Sequence, residues 1–227
     1  MLMKIMTFTA VSLVITALIA LGLIVSDRPK RFTQSEESNG LSFESTIARG
    51  FDNVPEQVGI ATENGWDMPV RRYGTQDATK PLLIMVHGSG WGGLQFNNIA
   101  NSLSSDAYVI APDLRGHGES PERRGDVDYI GQMEDDLAAL IKAEALPDQQ
   151  VILAGHSSGG GLVVRFAGGE HGALMDHAVL LAPFLKHNAP TTRTNSGGWA
   201  HAMTRRIIGL SMLNTFGITA LNHLEII

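Results

Sequence analysis

The stretch Gly155–Gly159, which reads GHSSG, constrains the fold of this 227-residue chain more than any other. It follows the apolar run 151–154, typical of a strand, and precedes the small residues 160–168, typical of a helix. In a strand–turn–helix with the pattern G-x-S-x-G, the serine sits on a strained turn, and a Cβ at either glycine would collide with the neighbouring strand or helix. The turn lifts the serine hydroxyl clear of the sheet. Ser157 is therefore the candidate nucleophile, and Gly155 and Gly159 are the glycines that the turn requires.

Two upstream segments supply the context for that serine. The continuous apolar run 82–86, expected for a strand buried on both faces, ends in the glycine-rich sequence HGSGWGG, 87–93. A turn of this kind after a strand provides one backbone N–H for an oxyanion hole, and the residue after the nucleophile provides the other. We expect these donors to be the N–H groups of Ser89 and Ser158. About twenty residues later, the strand-like run 108–111 leads into PDLRGHGES, 112–120.

These three motifs, in this order and spacing, resemble the α/β-hydrolase fold, and within it the branch of lysophospholipases, monoacylglycerol lipases and serine aminopeptidases. The resemblance covers about residues 56–186. It implies a mostly parallel α/β sheet with helices on both faces, and cleavage of an ester or amide through an acyl-enzyme. His87 and Gly88 would then support the oxyanion loop. A serine at the elbow argues against relatives that process halides or epoxides, since these need a carboxylate nucleophile there.

Composition excludes several other classes of function. A hydrophobic content of 44% is ample for a core, and the net charge of −6 argues against a nucleic-acid surface. The chain has no cysteine, which excludes disulfides, thiolate metal sites and cysteine nucleophiles. No cluster of histidines or carboxylates has the spacing of a metal site, and no phosphate-binding fingerprint follows a strand. The sequence therefore predicts no metal and no cofactor.

The run Ile5–Val25 contains 21 residues without a charge, enough for a helix that spans the apolar core of a membrane. We interpret it as a single-pass anchor, because it is longer than an ordinary signal-peptide core. A cleaved signal peptide, and hence an exported domain, is the alternative, since Lys4 precedes the run and 20–22 is a passable cleavage site. Three basic residues follow the run and one precedes it, so the rule that counts only lysines and arginines places the catalytic domain in the cytoplasm. Because this margin is small, the side of the membrane stays open.

The rest of the chain divides into a core and two flanking parts. Helical patterns at 94–103 and 129–146, a hairpin made by 57–61 and 68–73, and a strand at 176–181 belong to the core. Residues 199–224 are largely helical by pattern and resemble the start of the cap that this family inserts after that strand; a helix that merely covers the sheet is the alternative. The predicted boundaries are 1–26 for the anchor or signal, 27–50 for a linker with a possible strand near 41–43, 51–186 for the hydrolase core and 187–227 for a partial helical cap.

The serine lacks its catalytic partners in this sequence. In the family the triad follows the order Ser, Asp or Glu, then His. After residue 181 the only carboxylate is Glu225, which comes two residues after His223 and is thus in the wrong order. We expect the chain to stop within the cap, with the triad acid and histidine beyond it. The alternative is a natural short form that uses His201 or His223. Four upstream side chains are interpreted as structural rather than catalytic: His87, Asp113, His117 and His156.

Two functions follow from these patterns. The first is a membrane-anchored serine hydrolase that acts on a small-molecule or lipid ester or amide, and is inactive in this form. The second is a non-catalytic binding or scaffold protein on the same fold. The missing base supports the second function. The intact elbow and both oxyanion loops support the first.

Overall fold

The computed structural model describes residues 2–28, 50–119, 121, 123–186, 189 and 202–226. The chain divides into two compact units. One consists of Met1–Gly40 with His187–Ile227, and the other of Leu41–Lys186. The predicted strand at 41–43, most of the linker and most of the polar loop at 188–198 lie outside the described residues.

The larger unit is built on one six-stranded sheet. Its strands are β1 (Val58–Ala61), β2 (Asp67–Tyr73), β3 (Leu82–Val86), β4 (Tyr108–Pro112), β5 (Val151–His156) and β6 (His177–Leu181). The spatial order is β1-β2-β4-β3-β5-β6. The predicted hairpin is present, since β2 runs antiparallel to β1, and β2 also runs antiparallel to β4. The pairs β3–β4, β3–β5 and β5–β6 are parallel, so the predicted mostly parallel sheet is confirmed.

Helices cover both faces of this sheet. They are α2 (Asn97–Leu103), α3 (Gln132–Glu144) and α4 (Ser158–Gly168), with short 3₁₀ turns at Gly93–Phe96 and Gly172–Leu174. Leu82, Ile84 and Val86 of β3 pack in one apolar cluster with α3 and α4. Leu83 and Met85 pack in a second cluster that includes Phe96 and Ala100. Because successive side chains of a strand point to opposite faces, a continuous apolar run is what a strand covered on both sides requires.

Two helices differ from their predicted bounds. The pattern at 94–103 begins as a 3₁₀ turn and becomes α-helical only at Asn97. The pattern at 129–146 forms a helix that begins at Gln132, because Gly131 before it has a φ of 108°, which is outside the helical region. Ile130 is consequently exposed to solvent and does not join the apolar face.

Three consecutive glycines let the start of α4 approach its neighbours closely. A Cβ on Gly159 would lie 2.3 Å from the Val86 carbonyl oxygen of β3. At Gly160 it would lie 2.8 Å from Pro183 Cβ, and at Gly161 2.4 Å from a backbone oxygen in the segment after β6. The helix can therefore begin directly against the central strands.

The smaller unit contains two described helices, α1 (Leu2–Ser26) and α5 (Thr204–Asn214). Within the described residues, α1 alone is long and apolar enough to cross a membrane, over Met6–Ser26, and a signal sequence would have the same properties. The predicted helix over 199–224 is shorter in the structure: 199–201 lie outside the described residues, and α5 ends at Asn214.

We predict that Gly159→Ala destabilises the larger unit by about 3 kcal/mol, the upper part of the usual range for overpacking, since the new methyl group meets a backbone carbonyl that cannot rotate away. Gly168→Ala is the matched control in the same helix, because nothing lies within 4 Å of a Cβ there. The control should be neutral or stabilising by up to about 1 kcal/mol. Urea unfolding of the full chain in detergent, followed by tryptophan fluorescence, measures both. Equal stabilities for the two variants would contradict the close approach.

Candidate active site

The elbow at Ser157 joins β5 to α4. Ser157 has a φ of 53° and a ψ of −120°, a combination that side-chain-bearing residues rarely adopt. Its N–H donates to the Leu181 carbonyl oxygen at 3.0 Å. Its own carbonyl oxygen accepts from the N–H of Gly161 at 3.2 Å and from that of Phe184 at 2.8 Å. These hydrogen bonds from both sides hold the strained serine in place.

The loop after β3 presses directly on this elbow. A Cβ on Gly88 would lie 3.2 Å from Ser157 Cβ and 3.2 Å from His156 Nδ1. A Cβ on Gly155 would lie 2.4 Å from the Gly159 carbonyl oxygen. Backbone atoms thus leave no room for a Cβ at Gly155 or Gly159, and at Gly88 a Cβ would fit only tightly.

The two predicted oxyanion donors lie on these adjoining segments. Ser158 is the first residue of α4, so its N–H has no acceptor inside the helix. The N–H of Ser89 makes no hydrogen bond to any described residue. The two side chains are joined across the gap, since the Ser89 hydroxyl donates to the Ser158 hydroxyl oxygen at 2.9 Å. This contact ties the oxyanion loop to the start of the helix while both N–H groups remain available.

A glutamine that carries no sequence signature fixes the same loop. Gln95 Oε1 accepts from the Gly88 N–H at 3.2 Å. Gln95 Nε2 lies 2.7 Å from His156 Nδ1, and since an amide nitrogen can only donate, Nδ1 is the acceptor. The His156 ring is therefore held by Gln95, in the 3₁₀ turn after β3. Sequence reasoning missed Gln95, because a single amide in a turn has no motif.

His87 is a buried, neutral part of the scaffold. Its Nε2 accepts from the Leu114 N–H at 2.9 Å, so its proton is on Nδ1, which donates to the Gly88 carbonyl oxygen at 2.8 Å. The side chain is fully buried, and this burial lowers the pKa of His87 to about 4. Because both ring nitrogens are occupied by backbone groups, His87 is not available as a general base.

Asp113 joins the oxyanion loop to β4. Its Oδ1 accepts from the Gly93 N–H at 2.5 Å, and its Oδ2 accepts from Gln57 Nε2 at 2.7 Å. Gly92 and Gly118 pack on the same carboxylate so closely that a Cβ on either would lie within 2.4 Å of it. This buried carboxylate satisfies backbone and amide donors.

The described residues bring no base to the serine. In this part of the chain no side chain hydrogen-bonds to the Ser157 hydroxyl. His223 Nδ1 is 2.9 Å from the Ala220 carbonyl oxygen, and His187 and His201 lie outside the described residues. No group of three or more His, Asp or Glu side chains among the described residues could hold a metal ion. The described site thus consists of Ser157 and the two predicted oxyanion donors.

Comparison with known proteins supports the α/β-hydrolase fold predicted from the sequence. The family model described as serine aminopeptidase, S33, matches residues 77–219, which is more than half of the chain. An uncharacterised protein of Mycobacterium tuberculosis is 31% identical over 134 residues, which cover 58% of this chain and 36% of that protein. Proline iminopeptidase PfmaB of Pestalotiopsis fici is 33% identical over 135 residues, with 58% and 46% covered. The chain therefore spans less than half the length of these relatives.

Solved structures are similar to the same part of the chain. A Burkholderia cenocepacia structure, provisionally assigned as an aryl esterase, superposes with a TM-score of 0.50 at 23% identity, and covers 59% of this chain and 49% of that one. An α/β hydrolase from Novosphingobium aromaticivorans gives a TM-score of 0.47 at 27% identity, with 55% and 43% covered. With the strand–elbow–helix geometry and the matched family model, the chain belongs to the serine aminopeptidase S33 family of α/β hydrolases.

Proposed function

We propose that the protein is a serine hydrolase that cleaves an ester or amide through an acyl-enzyme on Ser157. The observation that carries this proposal is the backbone of Ser157, with its φ of 53°, placed beside the two oxyanion donors. A fold that needed only a strand-to-helix turn would not require a non-glycine residue in this costly conformation.

The chemistry begins with attack of Ser157 Oγ on the substrate carbonyl carbon. The carbonyl oxygen becomes an oxyanion, which accepts hydrogen bonds from the N–H groups of Ser89 and Ser158. Collapse of this tetrahedral intermediate expels the alcohol or amine and leaves the acyl group on Ser157. Water then attacks the acyl carbon, the same N–H groups stabilise the second oxyanion, and the acid product leaves with the serine restored.

A general base is needed to remove the proton from Ser157 and deliver it to the leaving group. We propose that this base is a histidine, oriented by an Asp or Glu, and that both come from outside the described residues. The oxyanion half of the site is independent of them, because its donors are backbone groups held by Gln95, Asp113 and the elbow itself.

A non-catalytic binding or scaffold role is the second candidate. The observation that favours it is the absence, among the described residues, of any hydrogen-bonded base at the Ser157 hydroxyl. In that case the oxyanion donors would bind a carbonyl or carboxylate group without turning it over. Covalent labelling of Ser157 distinguishes the two functions.

We propose further that α1 remains attached and anchors the protein in a membrane through residues 5–25. The support is that residues 5–25 carry no charge and, as a helix, match the thickness of a hydrocarbon core of roughly 30 Å. The substrate is then a small-molecule or lipid ester or amide that reaches a site tethered near lipid. A cleaved signal, which would export the rest of the chain, is the alternative.

Fluorophosphonate labelling tests the nucleophile. In membranes from cells that express the natural gene at its full length, we expect Ser157 to be labelled and Ser157→Ala to abolish the labelling. Ser158→Ala is the matched control, because its N–H remains and only a hydroxyl is lost. Deletion of an oxyanion donor costs about 3–4 kcal/mol of transition-state stabilisation. The labelling rate of Ser158→Ala should fall by far less than such a loss would cause. Equal labelling of wild type and Ser157→Ala would remove Ser157 from the mechanism.

Turnover by residues 1–227 alone tests the origin of the base. We expect hydrolysis of a short-chain nitrophenyl ester to stay within about tenfold of the Ser157→Ala rate, since an unassisted serine hydroxyl is a poor nucleophile near neutral pH. Robust, Ser157-dependent turnover would show that the base lies within these residues. His201→Ala and His223→Ala would then identify it.

Membrane extraction tests the anchor. The protein should stay in the membrane fraction through high-salt and carbonate washes, because the span Met6–Ser26 is held by apolar burial and not by charge. Sequencing of the mature amino terminus completes the test. A start near Leu23 or beyond would show that the segment is a cleaved signal.

A further inference from the structure

We propose that residues 203–226 form a hairpin that dips into the apolar layer of the membrane alongside α1. This inference rests on the proposed anchor, and it differs from the expectation that these residues belong to a cap over the active site. The evidence is the register of contacts between two segments that both lie within the smaller unit.

The first limb, α5, runs antiparallel to α1. The Arg205 N–H donates to Asp27 Oδ2 at 2.9 Å, just after α1 ends. One residue on, Arg206 Nε donates to the Ile24 carbonyl oxygen at 3.3 Å. Gly209 packs so closely on α1 that a Cβ there would lie 2.5 Å from the Ala20 carbonyl oxygen. Successive residues of α5 thus contact progressively earlier residues of α1, as expected for two antiparallel helices.

The turn after α5 lies against the middle of the apolar span. Phe216 and Ile218 line a cavity of about 390 Å³ together with Leu13 and Val14 of α1. Thirteen residues of helix separate Leu13 from Ser26, which at 1.5 Å per residue is roughly 20 Å. A hydrocarbon core is about 30 Å thick, so a hairpin packed on α1 in this register must reach well below the headgroups.

The second limb brings the chain back to the level at which the hairpin began. The Met203 N–H donates to the Ile226 carbonyl oxygen at 2.9 Å. Arg206 Nη1 donates to the Glu225 carbonyl oxygen at 2.7 Å. The charged side chains of the described hairpin, Arg205, Arg206 and Glu225, are therefore all close to its open end. This is the distribution expected of a segment whose two ends lie at a membrane surface and whose turn does not.

Three consecutive backbone donors of the turn are satisfied within it. The N–H groups of Phe216 and Ile218 both donate to the Leu213 carbonyl oxygen, at 3.0 and 3.1 Å, and the Gly217 N–H donates to that of Asn214 at 2.9 Å. Gly217 supplies the φ of 74° that the turn needs. In lipid every backbone polar group must find a partner within the protein. These three donors have one, whereas the N–H groups of Thr219, Ala220 and Leu221 donate to no described residue.

Three apolar side chains are exposed on the outer surface of the hairpin. Ile208, Phe216 and Ile218 are each about half exposed, at 48%, 54% and 48%. The cavity beside them has a single polar lining side chain, Thr16, so acyl chains are its natural occupant. Gly209 against Ala20 is the small-residue contact through which membrane helices pack. The exposed polar side chains Asn214, Thr215, Thr219 and Asn222 enter the same layer, and their immersion is the unfavourable part of this placement.

Nitroxide scanning tests the inference on the full chain in vesicles of zwitterionic phospholipid, and the absence of native cysteines makes single-cysteine variants straightforward. Val14→Cys reports the anchor, Phe216→Cys the turn, and Ser105→Cys, in an exposed part of the larger unit, the aqueous reference. The ratio of oxygen to nickel-chelate accessibility rises with depth in the membrane. We expect the ratio at 216 to match that at 14 within about twofold and to exceed that at 105 at least tenfold.

The outcomes separate this inference from the proposed anchor. A lipid signal at 14 with an aqueous signal at 216 overturns the hairpin and leaves the anchor in place. An aqueous signal at 14 overturns both. Gly209→Leu, which cannot keep the close contact with Ala20, should bring the label at 216 toward water and leave the label at 14 unchanged. Ser211→Leu, on the exposed side of α5, is its control and should move neither; an equal shift in both variants would contradict the packing.

Discussion

The left-handed backbone of Ser157 is the constraint on which the rest of the core depends. Such a conformation costs about 1–3 kcal/mol and persists only when surrounding structure over-determines it. Here the peptide groups on both sides of Ser157 are hydrogen-bonded to Leu181 and Phe184, at the end of β6 and just beyond it. The neighbouring strand therefore does more than extend the sheet, since its end and the segment after it hold Ser157 in position.

The same constraint explains the glycines of the helix that follows. For α4 to begin immediately after the elbow, its first turn must lie against the carbonyl ends of β3 and against the segment after β6. Gly159, Gly160 and Gly161 meet these neighbours in turn. Side chains at these positions would push the helix outward and move its first N–H groups away from Ser157. Glycine is needed at these three positions because the helix backbone packs directly on its neighbours, and not because the residues adopt a positive φ.

Much of this core could be predicted from sequence, and the reasons are physical. Strands covered on both faces appear as unbroken apolar runs, as at 82–86, and the elbow has a short local pattern. Gln95 and Asp113 were different: the sequence gives no sign that one amide joins Gly88 to His156, or that one carboxylate holds Gly93. Such contacts depend on which loops the fold brings together. The contact between α1 and α5 is of the same kind, because no local signal links segments so far apart in the chain.

In the proposed mechanism the oxyanion donors are backbone N–H groups, which do not titrate. The loop that carries Ser89 is fixed by amide, carboxylate and hydroxyl contacts. Proton transfer is then left to a single titrating group, the proposed general base. The buried imidazole of His87 is kept neutral near pH 7 because burial lowers its pKa to about 4. A rise of activity between about pH 5 and 8 is the profile expected of the proposed histidine base, whose unperturbed pKa is near 6.5.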